Sequence, residues 1–440
     1  MAEKRSFGYF QSRACQDLGG CFNLSFWAGE VLQASLHYPS VRHLIVALGA
    51  AYETFELRQQ PDESAVGQQL VLQQCNLSIR HMSELFSSAT TDHHSNETVC
   101  CILTASILFT YISSLQGHLT QAIEHIRSGM KVLLDFEKLA RRPDVREPYP
   151  VPLSRLRSLL MSMYGQLRAI INDEALSQWG HGLLASDLEP VIRYVSVSEA
   201  HDYVERLFQN TLAFLQDADF SPPTTHIQIA ASTARRAALC RALDTSRTAL
   251  EILSRQSPEA KEQAKNGVTI LRTYHILIDV RLRIDPLQPS KREDSFDDME
   301  ADLEKILDNC EILVNHGRKA PQLPSCSSGL GYVMPLHTVA ARCRNPGLRK
   351  RALGLLLSIA RRECLWDSVL TGKIVAKTQE IEEQSRTASS PSSSHGPVAS
   401  DLRVREVKIT FEGDRKAHLN FIAVEDWRKN QPGIQHFIEW

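Results

Sequence analysis

Histidine is the first residue type in this chain that could bind a metal or catalyse proton transfer. His118 and His125 are seven residues apart, which would place them on one helix face together with Gln121. A zinc site needs at least three protein ligands, and the chain contains no His-Glu-x-x-His motif. We therefore interpret both as helix-surface or capping histidines. His93-His94, in a loop rich in Thr, Asp and Ser, receives the same interpretation.

The ten cysteines could supply a nucleophile or thiolate ligands. No two of them form a Cys-x-x-Cys pair, so the sequence predicts no zinc site, and the thiols are expected to be reduced and buried. Cys364, close to Trp366 and Asp367, is the strongest candidate nucleophile. It has no basic partner nearby in sequence, and a buried structural thiol at a helix end is the favoured interpretation. The cysteines are Cys15, Cys21, Cys75, Cys100, Cys101, Cys240, Cys310, Cys326, Cys343 and Cys364.

Two glycine clusters could cradle a phosphate. Gly19-Gly20 and Gly329-Leu330-Gly331 fit neither Gly-x-Gly-x-x-Gly nor a P-loop, and no predicted strand precedes them, so both are predicted to be turns. A Gly-x-Ser-x-Gly nucleophile motif is also missing from the sequence. The sequence therefore predicts no catalytic, cofactor-binding, metal-binding or DNA-binding residue in this chain, and a protein that is not an enzyme.

The charge balance sets limits on partners. The 440 residues include 49 Lys and Arg against 51 Asp and Glu, a net charge of −2. This balance argues against a whole-chain nucleic-acid binder. Four basic clusters are interpreted as solvated helix faces, with a nuclear-import or partner-docking surface as the alternative. They are Arg141-Arg142, Arg235-Arg236, Arg349-Lys350-Arg351 and Arg361-Arg362.

No secretory signal is evident at the start of the chain, because residues 1–7 contain no apolar segment. The longest nearly apolar run, Val99 to Ile112, is shorter than the ~20 residues that a membrane-spanning helix needs. We expect it to be a buried core helix, and we expect no membrane partner.

Helical periodicity positions nearly all of these residues. After Pro39, apolar side chains recur at spacings of three and four from Val41 to Phe55, which predicts an amphipathic helix. Similar stripes follow, with Ser198, Asn345 and Asp367 as helix starts. Further helices are predicted at 66–87, 97–114, after Gly117, 153–171, 198–216, 225–256, from Pro258 to about Arg283, from about Ser295 to Gly317, 332–343, after Asn345, and from Asp367 to about 383.

The period changes near the C-terminus. Val407, Ile409 and Phe411 alternate with polar residues, Gly413-Asp414 can turn, and Leu419 to Ala423 alternate again. This predicts a β-hairpin, the only strands that the sequence indicates. We predict an all-α fold of antiparallel helix pairs with a small C-terminal hairpin. Its three parts are a helical domain at 1–386, a flexible Ser/Pro-rich linker at 387–400, and a hairpin and tail at 401–440 that pack on the helices.

Three ordered groups of residues resemble the fungal-specific regulatory domain of binuclear zinc-cluster transcription factors. The first is Tyr9-Phe10, Phe22–Trp27 and His37–Ala50; the second is Leu108-Phe109, Leu115–Gly117 and Ala122–Gly129; the third is Pro335–His337, Cys343–Pro346, Leu348–Ala352, Arg361–Glu363 and Trp366–Ser368. The resemblance covers most of 7–383. Phe26 and Trp27 are expected to be core anchors, and Gly49, Gly117 and Gly129 to permit a close helix approach or a turn.

The resemblance implies a transcriptional regulator located in the nucleus, with the cytoplasm as a second location. Regulators of this family often control a metabolic or secondary-metabolite gene cluster. In that family a six-cysteine, two-zinc module reads DNA. No such cysteine spacing is present here. We expect either a regulator without its own reader, which reaches promoter DNA indirectly, or one whose module lies upstream of Met1; zinc is a cofactor only in the second case. Expected partners are the transcription machinery or other regulators, and a homodimer stays open. The alternatives are a helical scaffold protein and a small-molecule-sensing helical domain.

Overall fold

Three long helices begin at a proline, which has no N–H to leave unpaired in the first helical turn. They are α4 (Pro39–Leu57), α5 (Pro61–Ser88) and α14 (Pro346–Ser358). The computed structural model describes residues 1–57, 61–88, 96–139, 150–171, 188–256, 262–317, 323–358, 360–389 and 398–440. Within them the chain is mostly helical and ends in a small antiparallel sheet, so the predicted all-α class is confirmed.

The N-terminal part consists of short helices followed by long ones. Two π-helical turns, Phe10–Ala14 and Phe26–Glu30, interrupt its start. The other helices here are α1 (Ala2–Tyr9), α2 (Cys15–Gly19), α3 (Val31–His37), α6 (Asn96–Gln116), α7 (Leu119–Leu139) and α8 (Leu153–Ile170). Helices α4 and α5 pack as one neighbouring pair, and α6 and α7 as a second.

The second half contains further helices and two small sheets. Its helices are α9 (Val197–Phe220), α10 (His226–Gln256), α11 (Glu262–Leu282), α12 (Glu300–Gly317), α13 (Val333–Arg342), α14, α15 (Ser368–Ser389) and α16 (Val424–Arg428), with 3-10 turns at Pro289–Lys291, Asp294–Met299 and Ser400–Leu402. Its strands are β1 (Ser325–Ser327), β2 (Arg361–Glu363), β3 (Trp366–Asp367), β4 (Val404–Phe411), β5 (Lys416–Ala423) and β6 (Ile434–Glu439).

The buried apolar side chains form two clusters. One cluster contains side chains from the N-terminal helices, α8 and the terminal sheet. The other contains mainly side chains from helices α9 through α14. Phe26 and Trp27 are fully buried in the first cluster, as predicted. Gly49 permits α1 to approach α4, because a Cβ there would lie 2.1 Å from the Ser6 carbonyl oxygen. Gly129 similarly faces Ser106 and Leu160, and Gly117 turns the chain at φ +88°.

The predicted hairpin is confirmed and gains a third strand. β4 and β5 pair antiparallel, with Val407 opposite Phe421 and Ile409 opposite Leu419. β6 then pairs antiparallel with the other edge of β5. The sequence pattern missed β6 because its residues are mostly exposed and show no apolar alternation.

A second small sheet was not predicted. β1 pairs parallel with β2, and β2 pairs antiparallel with β3. Its strands have only two or three residues, too few to show a period. The segment Trp366–Asp367 is therefore a strand, and helix α15 begins at Ser368. The predicted cap is correct, since the Asp367 carboxylate accepts from the Val369 and Leu370 N–H groups at 2.9 and 3.1 Å.

The start of α9 differs from the prediction by two residues. Ser196, not Ser198, is the N-cap, and its hydroxyl accepts from the Glu199 N–H at 3.1 Å. The Glu199 carboxylate in turn accepts from the Val195 N–H at 2.6 Å. This reciprocal arrangement needs Ser and Glu three residues apart, which only Ser196 provides. Ser198 instead points back toward Phe22.

Some predictions concern residues outside the described ranges. These include His93-His94, Arg141-Arg142 and most of the Ser/Pro-rich linker at 387–400. Helix α15 continues to Ser389, inside the predicted linker. The proposed division into 1–386, 387–400 and 401–440 remains a proposal.

Candidate functional site

A cavity of about 210 Å³ lies where the terminal sheet meets the helices. The ends of α8, α9 and α11 form one side, and α13, α15 and strand β4 form the other. Residues of both apolar clusters line it, including Ile170 and Ile374 from the first and Met334 from the second. The cavity therefore lies at a junction between cores, where small-molecule sites commonly occur.

The alternating residues of β4 form one apolar wall of the cavity. Val407, Ile409 and Phe411 all line it, because successive side chains of a strand point to opposite faces. Leu212 and Met334 contribute apolar side chains from the helices. The same apolar alternation that predicted the strand therefore places these three side chains on the cavity wall.

Four arginines line the same space: Arg281, Arg292, Arg342 and Arg405. Asp219 partners two of them, with its carboxylate oxygens 2.6 Å from Arg292 and 2.7 Å from Arg405. The Arg405 guanidinium also stacks 4.0 Å from the centre of the Trp427 ring. Two arginines thus share one carboxylate.

Arg342 is held by the strand and by a buried acid. Its guanidinium donates to the carbonyl oxygens of Val404 and Arg405 at 2.7 and 2.9 Å. The Glu293 carboxylate, fully buried, lies 2.9 Å away. The charge of Arg342 is therefore balanced by Glu293, and its hydrogen bonds position the first residues of β4.

Arg281 differs from the other three. Its guanidinium lies 5.9 Å from the centre of the Phe208 ring, and it makes no hydrogen bond or ion pair with the described residues. Burial, followed by the charges of Arg292 and Arg342, lowers the pKa of Arg281 to about 9. The Arg281 side chain is half-buried, with its Nε atom fully buried, and a cation that is partly withdrawn from water without a counter-ion is unfavourable. Among the described residues, Arg281 is thus the cavity arginine without a counter-ion.

His337 is a second polar group in the cavity without a hydrogen-bond partner among the described residues. Its ring lies 5.5 Å from the Trp366 ring. Burial, together with Arg342 and Arg281, lowers the pKa of His337 to about 3. The imidazole is therefore neutral at pH 7 and offers one N–H donor and one acceptor.

Another buried histidine makes the stability of the protein sensitive to acid. His275 on α11 shares a 2.8 Å hydrogen bond with the Ser246 hydroxyl, which also bonds the Tyr194 hydroxyl at 2.7 Å. Burial and the charge of Arg247 lower the pKa of His275 to about 3. Below pH 6.5 the unfolded chain therefore binds a proton that the native state excludes, so this part of the stability is complete above pH 6.5 and is lost as the pH falls toward 3.

When the pH is lowered from 7 to 5, we expect the free energy of unfolding to fall by about 2 kcal/mol more in wild type than in His275→Gln. The difference comes from protonation of this one histidine in the unfolded chain. Urea unfolding of both proteins at the two pH values measures the difference. His226→Gln, at an exposed site, serves as the control. Parallel pH profiles of wild type and His275→Gln would contradict the assignment.

The structure separates the histidines that could have bound a metal. His118 precedes α7 and lies 3.0 Å from the Asp414 carboxylate of the hairpin turn. His125 stacks on Phe109 with ring centres 5.0 Å apart, and burial lowers its pKa. Within the described residues, no group of three or more His, Cys, Asp or Glu is placed to hold a metal ion.

Cys364 is a buried structural thiol, as interpreted, but its position was predicted wrongly. It lies in the tight turn between β2 and β3, with φ +55°, and not at a helix end. Burial raises the pKa of its thiol to about 12, so the nucleophilic thiolate is scarce at neutral pH. Gly20 and the Gly329–Gly331 segment lie in turns or loops, as predicted, but Gly19 was predicted wrongly, because it is the last residue of helix α2.

The interpretation of the basic clusters as solvated faces is wrong for three arginines. Arg349 lies 2.8 Å from the buried Glu382, and Arg362 lies 3.1 Å from Asp367. Arg361 donates to Glu363 at 2.7 Å and to two serines of β1. The acidic partner of Arg349 lies on another helix, that of Arg362 lies across a short turn, and that of Arg361 lies two residues along the same strand. The linear charge pattern does not reveal the first two pairings. Arg351 and Arg235 are more exposed and form surface ion pairs.

Sequence reasoning missed the cavity arginines. Arg405 carried a signal, since it precedes Val407, Ile409 and Phe411 at the same alternating spacing. Arg281 follows Leu277 and Ile278 at helical spacings on a buried face. A cation on an apolar face indicates a buried partner or a ligand. The sequence pointed to His337 only through the family resemblance, and to Trp366 through that resemblance and as a neighbour of Cys364.

Comparison with known proteins identifies a domain in the N-terminal part of the chain. Residues 5–162 match the fungal specific transcription factor domain. The resemblance is thereby confirmed for its first two groups of residues, which lie within 5–162, whereas the third group, at 335–368, lies outside the match. This domain spans α1 to most of α8, so the two core anchors and the Gly49 helix contact lie inside it, whereas most of the cavity lies C-terminal to it.

A curated relative extends the similarity beyond the fungal specific transcription factor domain. The chain is 21% identical over 478 residues to the aspercryptin biosynthesis cluster-specific transcription regulator atnN of Emericella nidulans. The alignment covers 90% of this chain and 76% of the relative. No solved structure matches the chain. The domain match and the relative both support a transcription regulator, a class of protein that is generally not enzymatic.

Among the described residues, one helix is long and apolar enough to cross a membrane. It is Glu97–Gln116, and 83% of its most apolar window is buried inside the fold. It packs between α4 and α7, as expected for the core helix that the sequence predicted.

Proposed function

We propose that this protein is a fungal transcriptional regulator that acts in the nucleus on a metabolic or secondary-metabolite gene cluster. The observation that supports this most is the domain match over residues 5–162, joined to a cluster-specific regulator as a relative along most of the chain. The helical domain acts through contacts with the transcription machinery or other regulators. Promoter DNA is reached indirectly or through a separate module, since no Cys-x-x-Cys zinc-cluster spacing occurs in this sequence.

A tethering assay tests the regulatory role without needing to know the DNA target. The full chain is fused to a heterologous DNA-binding domain, and a reporter downstream of its site is measured in a filamentous fungus. We expect the fusion to change reporter transcription several-fold and to accumulate in nuclei. Trp27→Ala, which removes a core anchor, should lose the effect, and Leu36→Ala, at an exposed site, should keep it.

Deletion of the gene tests the link to a cluster. We expect transcripts of a contiguous set of biosynthetic genes to change together. An inactive fusion combined with an unchanged transcriptome would contradict the proposal. A pull-down that recovers cytosolic complexes and no transcription proteins would instead favour the helical scaffold alternative.

A further inference from the structure

Four arginines and three carboxylates, Asp219, Asp367 and Glu406, line the cavity, and Arg281 is the arginine that forms no ion pair among the described residues. Arg292 and Arg405 share Asp219, and Arg342 has Glu293. Arg281 has an aromatic ring beside it and no acidic partner within ion-pair distance. Arg281 is half-buried and its buried Nε has no partner; since a partly desolvated charge without a counter-ion is unfavourable, this arginine leaves a place for an external anion.

Unpaired donors accompany the unpaired charge. The Nε atoms of Arg281 and Arg292 and one terminal nitrogen of Arg405 are buried and have no hydrogen-bond partner. Such groups are rare in native structures, where buried N–H groups are normally satisfied. Three arginines lining one cavity thus each retain a free donor, and a planar guanidinium fork fits the two oxygens of a carboxylate.

The rest of the cavity is suited to an apolar body. Val407, Ile409 and Phe411 from β4 face the same space as Met334 and Ile374. The neutral ring of His337 adds a hydrogen-bond donor or acceptor without adding charge. A cavity of about 150 Å³ holds benzene, so about 210 Å³ suits a molecule of roughly eight to ten non-hydrogen atoms.

We propose that this cavity binds a small organic monocarboxylate with an apolar body, and that Arg281 is the counter-ion of its carboxylate. The carboxylate lies at Arg281 and the free donors of Arg292 and Arg405, and the apolar body lies against the β4 wall. Binding would join α11, α13 and α15 to the terminal sheet. This site is separate from the proposed role in transcription, and it is tested on the purified chain, so its failure would leave that role standing.

The test uses four small probes on the full-length protein. Benzoate and octanoate combine a carboxylate with an apolar body, benzyl alcohol has the ring without the charge, and acetate has the charge without the body. Titration calorimetry and thermal unfolding measure binding. We expect benzoate or octanoate to raise the unfolding temperature and to bind about tenfold or more tightly than benzyl alcohol and acetate.

Arg281→Gln tests the counter-ion. It keeps a polar side chain of similar shape and removes a charge that the native state holds unpaired, so the variant should fold. We expect its affinity for the two anions to fall about ten- to one hundredfold, with benzyl alcohol unaffected. Arg283→Gln is the matched control, two residues along the chain, exposed and paired with Asp302 outside the cavity; it should bind like wild type.

A second variant covers the case in which Arg281→Gln does not fold. Ile374→Phe fills the cavity and leaves every arginine in place, and it should abolish binding of both anions. Three results would overturn the proposal: equal affinity for benzoate and benzyl alcohol, unchanged anion affinity in Arg281→Gln or Ile374→Phe, or no binding of either anion at millimolar concentration. Acetate binding as tightly as benzoate would overturn the apolar subsite.

Discussion

Replacing Trp27 with alanine is expected to lower the free energy of unfolding by about 3–5 kcal/mol. Trp27 is fully buried, and its ring stands edge-on to Phe26 and Tyr111 with both pairs of centres 5.0 Å apart. Truncation would leave a cavity among these rings, because a close-packed core collapses only partly.

The indole also joins distant parts of the chain. Its N–H donates to the Ser328 hydroxyl at 2.8 Å, and that hydroxyl donates to the Leu18 carbonyl oxygen at 2.7 Å. Removing Trp27 therefore loosens the contact between the N-terminal helices and the loop that follows β1. The effect should extend to the second half of the molecule.

Urea unfolding followed by circular dichroism measures the loss of stability. Leu36→Ala is the matched control, since Leu36 lies nearby on α3 and is 77% exposed; a change within about 0.5 kcal/mol is expected there. Trp27→Phe should fall between the two, because it keeps part of the ring and loses the hydrogen bond. Equal stabilities of Trp27→Ala and Leu36→Ala would show that Trp27 is not a core anchor.

Replacing Glu382 with alanine is expected to destabilise the fold by about 3–5 kcal/mol and to loosen the start of the terminal sheet. The Glu382 carboxylate is buried, pairs with Arg349 at 2.8 Å and accepts from the Val404 N–H at 3.0 Å. Its loss would leave the buried Arg349 guanidinium without its counter-ion and the buried Val404 N–H without its acceptor. Most of the expected effect comes from these unsatisfied partners rather than from the net strength of the ion pair.

Hydrogen exchange and urea unfolding together test this effect. We expect faster exchange in Val404–Phe411 in addition to the lower stability. Glu380→Ala is the matched control on the same helix, because Glu380 forms a surface pair with Lys377; it should leave both measurements unchanged. Unchanged exchange in β4 of Glu382→Ala would show that the terminal sheet is held by other contacts, such as the Arg403–Asp297 pair at 2.9 and 3.0 Å.

The helices and the hairpin could be predicted because their signals are local. The stripe from Val41 to Phe55 repeats at the helical period, and Pro39 begins α4 as expected. Asp367 and Asn345 were identified as helix starts from residue type and position alone. The strands β1 to β3 were missed because two or three residues carry no measurable period, and their pairing joins residues 325–327 to residues 361–363.

The balance of charges could be counted from the sequence, but its pairing could not. A net charge of −2 and four basic clusters suggested solvated faces. In the structure, Arg349 and Arg362 are buried and paired with carboxylates. Arg281 lines a cavity and forms no ion pair with the described residues. Composition reports how many charges exist, whereas burial and partners depend on which helices meet.

By itself, the sequence determined the helical class, the terminal hairpin and the resemblance to a fungal regulatory domain, because periodicity, capping and residue order are properties of neighbouring residues. Only the tertiary structure decided where the cavity lies and which arginine in it lacks a counter-ion. Those features arise where α9, α11, α13, α15 and β4 converge from distant parts of the chain. Desolvation and pairing act over a few ångströms in space, and sequence separation does not encode that distance.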